Sequence, residues 1–199
     1  MNLSVSTPRN AHQTSHRTTH RLSINAPADL VFSMLRDASH WPYLDGLTVY
    51  SERVSGDDAT HELRTSVVSN GALSSSHSWR VFDAASHRAE FQQLDLEPPL
   101  LQLGGDWEIR PTDGPSVVTL NHGFEVDDEH LAERINQIIE DYSRRELEAL
   151  RASCERLSVL LQHHAPQGQP AARSITEPIA GPATQAAAEP STQPAAQEA

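Results

Sequence analysis

The chain has 199 residues and a formal net charge of −12, its basic residues are all arginine, and its one cysteine is Cys154. That size bounds it to one domain with extensions, and the negative charge disfavours nucleic acid and anionic membrane surfaces as partners. A lone cysteine excludes an intramolecular disulfide; with no apolar run of roughly 20 residues and no signal-like N-terminus, a soluble, cytoplasmic protein is expected.

Residues 1–16 are polar and aperiodic and are expected to form a loose arm. Residues 17–161 carry the patterned sequence and are long enough to bury a sizeable core. Residues 162–199 are dominated by Ala, Pro and Gln, too poor in apolar side chains to offset the entropy of ordering, so a disordered tail is expected.

Within the patterned region, His20–Ile24 alternates as a strand. Pro27 suits the first turn of a helix, and Leu30, Val31, Met34 and Leu35 follow at helical spacing. Asp37–Trp41 predicts a short second helix ending before Pro42. Six strands are then expected, at Thr48–Arg53, His61–Val68, Ser75–Phe82, Arg88–Leu94, Leu101–Ile109 and Ser116–Phe124. Turn-forming residues separate them, and connections this short favour antiparallel pairing. Leu131, Ile135, Ile138, Tyr142, Ala149, Cys154, Leu157 and Leu161 mark the apolar stripe of one long helix, with Asp127 or Asp128 available as its cap. The order predicts an α+β helix-grip fold: a curved seven-stranded antiparallel sheet wrapped around a long C-terminal helix, with an internal cavity between them.

Five stretches carry a resemblance: INAPADLVFSMLRDASHWP at 24–42, HSWRVFD at 77–83, EPPLLQLGGDW at 97–107, LNHGFEVDDE at 120–129 and SRRELEAL at 143–150. In this order they resemble the bacterial polyketide aromatase/cyclases, a branch of the START-like (START/Bet v 1-like) helix-grip superfamily, and in particular the N-terminal half of the two-domain first-ring aromatases. The resemblance implies a cavity that folds a carrier-bound poly-β-ketone and promotes regiospecific aldol cyclisation and dehydration to an aromatic ring, in antibiotic biosynthesis. It also implies an acyl carrier protein partner presenting the chain on phosphopantetheine. Because the related enzymes carry two such domains, a homodimer or a partner subunit is left to supply the second half. No cofactor is implied.

The resemblance places Arg80 in the cavity, where its fork of donors can hold two carbonyl or enolate oxygens. The competing readings are an Arg80 on the outer face, or one paired with Asp83 or Glu90. Ser78 shares the parity of Arg80, so both face the same side of the strand, while Trp79 faces the other. His122, in LNHGF, is a candidate general acid or base, against a purely structural histidine. Arg80, Ser78 and His122 are thus the candidate catalytic residues. Candidate substrate-binding residues are Trp41, Ser76, Trp107, Phe124 and Tyr142, each also readable as core packing. Two of them depart from the family: Ser76 stands where an aromatic residue is usual and implies a wider or more polar pocket, and Tyr142 stands where Asn is usual. Arg36, Arg144 and Arg145 can form a basic rim for phosphopantetheine or simply a solvated face. No His or Cys pair has metal-ligand spacing, so no metal site is expected. Gly104-Gly105 lacks the helix and Lys-Ser/Thr of a phosphate loop. The altered pocket keeps a second reading open: a non-catalytic START-like carrier or binding protein for a planar or lipidic molecule.

Overall fold

The computed structural model describes residues 15–164 apart from residue 70. Most of the predicted tail (165–199) and of the predicted arm (1–14) lies outside those residues; residues 162–164, expected in the tail, continue the last helix. The chain runs β1 (His16–Ile24), α1 (Ala28–Arg36), α2 (Trp41–Leu44), β2 (Thr48–Gly56), β3 (Thr60–Ser69), β4 (Ala72–Asp83), β5 (Arg88–Gln93), β6 (Leu100–Arg110), β7 (Ser116–Val126) and α3 (Ala132–His164). The seven strands form one antiparallel sheet in the order β1-β7-β6-β5-β4-β3-β2. Each consecutive pair from β2 to β7 is a hairpin neighbour, and β1 returns to the far edge beside β7. The helix-grip expectation describes this architecture.

Several boundaries differ from expectation, and two of the differences have a clear local cause. β1 begins at His16, inside the predicted arm, because its polar alternation continues the pairing with β7 as far as Phe124. Pro42 does not stop the second helix; it lies in the first turn of α2, where no intrahelical partner is required of its nitrogen. Asp128 accepts a hydrogen bond from the His130 amide and caps the single 3₁₀ turn that leads into α3.

Local chemistry explains the turns. Gly56 sits at φ +91°, and a β-carbon there would meet the Thr60 carbonyl at 2.2 Å, so the β2–β3 hairpin requires glycine. Asp57 then accepts from the Ala59 and Thr60 amides, closing the hairpin.

β7 alternates strictly between buried and half-buried positions, so Ser116, Val118, Leu120, His122, Phe124 and Val126 all face inward. The core divides into two clusters. One gathers Ile24, Val31, Leu35, Leu63, Trp107, Ile109, Val118, Leu120, Leu147 and Cys154 where α1 and α3 cross the sheet. The other joins Phe124 and Val126 to Ala132 and Ile139 near the start of α3. Burying one such side chain fully contributes about 1.5–3 kcal/mol, so both ends of the grip are well sealed. Residues from both clusters also line the space between them, and there the sheet and α3 stand apart.

Candidate functional site

That space is a cavity of about 970 Å³, walled by β3–β7, α2, the β5–β6 connection and one face of α3. Seven of the eight candidate catalytic and substrate-binding residues line it: Trp41, Ser76, Ser78, Arg80, Trp107, His122 and Tyr142. Phe124 does not. It is 1% exposed, stacks on His16 at 5.0 Å between ring centroids, and packs with Val126, Ala132 and Ile139. Its position nearer the start of α3, where helix and sheet are in direct contact, makes it core and not cavity wall.

Arg80 points inward. Asp83 instead caps the turn after β4 by accepting from Ala85 and Ser86, and Glu90 lies beside Arg88 on the outer face. Trp79, of opposite parity, is 38% exposed on the convex side. The guanidinium is held on two sides. Its Nε donates to Ser78 Oγ at 3.3 Å, and its central carbon lies 5.0 Å from the Trp41 ring centroid. Trp41 is itself fixed, because its indole N–H donates to the Met34 carbonyl at 2.6 Å. Among the described residues no carboxylate makes a contact ion pair with Arg80. Burial therefore pulls its pKa below the ordinary arginine value, with Glu146 opposing that shift.

Glu146 is the residue that the sequence reading missed. It lies four residues after Tyr142, on the same face of α3, and both line the cavity. Burial pushes its carboxyl up to about 7, while the positive charge of Arg80 pulls the other way. Tyr142 is raised above the ordinary phenol range, chiefly by the charge of Glu146 and then by burial, so it stays protonated and able to donate. The signal was present: an acid in an otherwise apolar stripe, at helical spacing from a residue already placed in the gap.

His122 is 7% exposed, and desolvation lowers its pKa to about 4. Its Nδ1 lies 3.2 Å from Ser143 Oγ, and that hydroxyl donates to the Ile139 carbonyl at 2.6 Å. With the serine proton engaged there, Nδ1–H of His122 donates to Ser143, which leaves Nε2 as an acceptor. At neutral pH this imidazole is uncharged and a weak base.

The strand register explains how these groups meet. His61, Arg80, Phe91, Gly105, His122 and Thr18 are successive cross-strand partners and form one transverse row. Phe91 meets His122 edge-on at 5.2 Å between ring centroids. Gly105 makes room for it: a β-carbon there would lie 2.9 Å from Phe91 Cζ and 1.9 Å from the Asn121 carbonyl oxygen. Gly105 is thus a packing glycine in mid-strand.

At the rim, Arg144 pairs with Asp141, and Arg145 donates to the Asp141 carbonyl at 3.2 Å. Asp141 and Arg145 line the opening, whereas Arg36 lies over Phe32, away from it. Cys154 is fully buried with its thiol pushed up to about 12, so it is unreactive near neutrality. No described helix is long and apolar enough to cross a membrane.

A curved antiparallel sheet gripping a long helix around a cavity defines a START-like helix-grip domain. Comparison with known proteins narrows the class. The family described as polyketide cyclase/dehydrase and lipid transport matches residues 15–155, and the chain belongs to it. A granaticin polyketide synthase bifunctional cyclase/dehydratase of Streptomyces violaceoruber is 30% identical over 145 residues, covering 71% of this chain and 45% of that protein. The chain therefore spans under half the length of this relative. Among solved structures, the Zhui aromatase/cyclase from a Streptomyces species superposes with a TM-score of 0.66 at 22% identity, covering 72% of this chain and 95% of that one. The di-domain aromatase/cyclase BexL superposes with a TM-score of 0.64 at 27% identity, covering 75% of this chain and 48% of that one.

Proposed function

We propose that this domain is a polyketide aromatase/cyclase: it folds a carrier-bound poly-β-ketone in its cavity, closes a ring by aldol addition and dehydrates it. The observation that carries the reading is the inward-facing, half-buried Arg80, held by Trp41 and Ser78, with no contact counter-ion among the described residues, facing the same hollow as Glu146 and Tyr142. Glu146 offsets the burial of this cation only through space, and an enolate oxygen supplies a direct anionic contact.

In this account Arg80 holds the two oxygens of a 1,3-dicarbonyl unit and stabilises its enolate. Glu146, as carboxylate, takes the proton from the acidic CH2. The resulting carbanion adds to a second carbonyl carbon, forming the new C–C bond. Tyr142 donates a hydrogen bond to the oxygen that becomes alkoxide and then hydroxyl. Glu146, now protonated, gives that proton to the alkoxide. The regenerated carboxylate then takes the remaining proton from the former CH2 carbon and returns it to the departing hydroxyl, so that water leaves and a C=C bond forms. A group that titrates near 7 can serve in both protonation states, which favours Glu146 over His122 for this task. His122 offers Nε2 as an acceptor that orients an enol hydroxyl.

The substrate reaches the cavity on an acyl carrier protein in the cytoplasm. The relative and the di-domain structure are about twice as long as the region they share with this chain, and a second domain of the same fold completes the unit in this reading.

Native mass spectrometry separates this from a non-catalytic carrier. The protein is incubated with a ketosynthase and a carrier loaded with the polyketide. A cyclase yields a product lighter than the linear chain by the mass of water. A carrier retains a ligand of unchanged mass, and that result overturns the proposal.

A further inference from the structure

We infer that Thr65 and Ser76 form a second oxygen-binding station, one strand step above Arg80 and Ser78, that fixes which carbonyl of the chain meets the reacting groups. The inference rests on the cyclase reading and adds to it the residues that set register.

The station is built from cross-strand partners. Thr65 on β3 faces Ser76 on β4, and their hydroxyls lie 2.8 Å apart. Both line the cavity. Ser74, Ser76, Ser78 and Arg80 alternate along β4, so their side chains stand on one face about 7 Å apart. Exposure falls along this row, from exposed Ser74 through half-buried Ser76 to Ser78 at 4%. Ser74 therefore marks the mouth, and Arg80 lies deeper. Apolar side chains provide another part of the wall, with Leu100, Leu103, Ile135 and Ile139 all lining the cavity. Together these two surfaces fit a carbon chain that carries oxygens along one edge.

Proton counting gives the station its preference. Thr65 and Ser76 have two hydroxyl protons, and their mutual hydrogen bond uses one. The other remains to be donated. Ser78 accepts from Arg80 Nε, so its own proton is likewise directed elsewhere. Each step of the row thus offers a donor, and a donor is satisfied by a carbonyl or enolate oxygen. A methylene in that place leaves the hydroxyl unpaired, which rejects a fully deoxygenated chain and a chain displaced by one carbon. Ser66 and Ser75 make a similar pair of the opposite parity, 2.8 Å apart; the exposed Ser75 also borders the cavity, whereas Ser66 does not.

The test is the ratio of the native-ring product to misregistered shunt products in a reconstituted ketosynthase–carrier system. Wild-type protein raises this ratio above that of the system without it. In the Thr65→Val/Ser76→Ala double variant, the ratio should fall by roughly tenfold, the scale of one unmade buried hydrogen bond. Thr65→Ser, which keeps the hydroxyl, should rescue the ratio and shows that loss of the hydroxyl, not altered packing, is responsible. A double variant with the wild-type ratio overturns the inference while leaving the cyclase reading intact. Wild-type protein that leaves the ratio where it is without protein overturns both.

Discussion

The Trp41 ring forms a shelf beneath Arg80, with the guanidinium carbon 5.0 Å from its centroid and the indole anchored to Met34. Trp41 therefore acts on substrate through Arg80, as a positioning residue. Trp41→Leu removes the π face and leaves a cavity. The expected cost is about 2–4 kcal/mol in urea denaturation, together with a fall in cyclisation. Trp41→Phe keeps a ring but loses the anchoring hydrogen bond, and should retain more activity than Trp41→Leu. Equal activity of the two variants would show that the shelf has no role in holding the cation.

Glu146 titrates near 7 inside the cavity, so the rate of cyclisation should change across that pH. Glu146→Gln should abolish this inflection and lower the rate at neutral pH. The same substitution should stabilise the fold. A carboxyl whose folded pKa is raised from 4.5 to about 7 binds more protons folded than unfolded, so its contribution falls as pH rises through that window. Removing the charge is expected to return about 1–3 kcal/mol above pH 7, measured by chemical denaturation.

His122 has the opposite sign. Its pKa falls from 6.5 to about 4, so the unfolded chain binds the extra proton and stability is lost as pH drops from 6.5 towards 4. Between about 4.5 and 6.5 the His122 and Glu146 slopes oppose each other. Stability in that window should be nearly flat for these two groups. His122→Gln leaves the Glu146 slope uncompensated, so stability should then decline from pH 4.5 to 7. A pH series of urea midpoints checks this.

Gly105→Ala tests the packing between Phe91 and His122. Its new methyl would overlap the Asn121 carbonyl, which belongs to the sheet backbone and cannot turn aside. The expected destabilisation is about 1–3 kcal/mol, the usual cost of overpacking. A change in the chemical shifts of the Phe91 and His122 ring protons should accompany it.

Much of this architecture was legible because hydrophobic alternation and turn chemistry act locally. Gly56-Asp57 marks its hairpin in sequence, and the stripe from Ile135 to Leu157 marks α3. Parity alone put Ser78 and Arg80 on one face of β4 and Trp79 on the other. What stayed hidden depends on register across strands and on where helix and sheet part. Phe124 and His122 share parity on β7, yet only His122 borders the cavity, and two residues of one strand cannot report where the helix lifts away. Glu146 was passed over for another reason, although its spacing from Tyr142 was legible. An acid among Arg144, Arg145 and Glu148 resembles one more solvated charge until the facing Arg80 is known. Thr65 is an ordinary strand threonine until its partner across the sheet is identified as Ser76.

The most direct measurement of the central claim is the product profile of a reconstituted polyketide synthase supplied with wild-type protein, Arg80→Ala or Arg80→Lys. The account predicts that Arg80→Ala returns the profile to that obtained without the domain. Arg80→Lys keeps the charge but loses the two-pronged grip, so it should give an intermediate profile. An Arg80→Ala profile indistinguishable from wild type would contradict the role assigned to the inward-facing guanidinium, and with it the cyclisation mechanism.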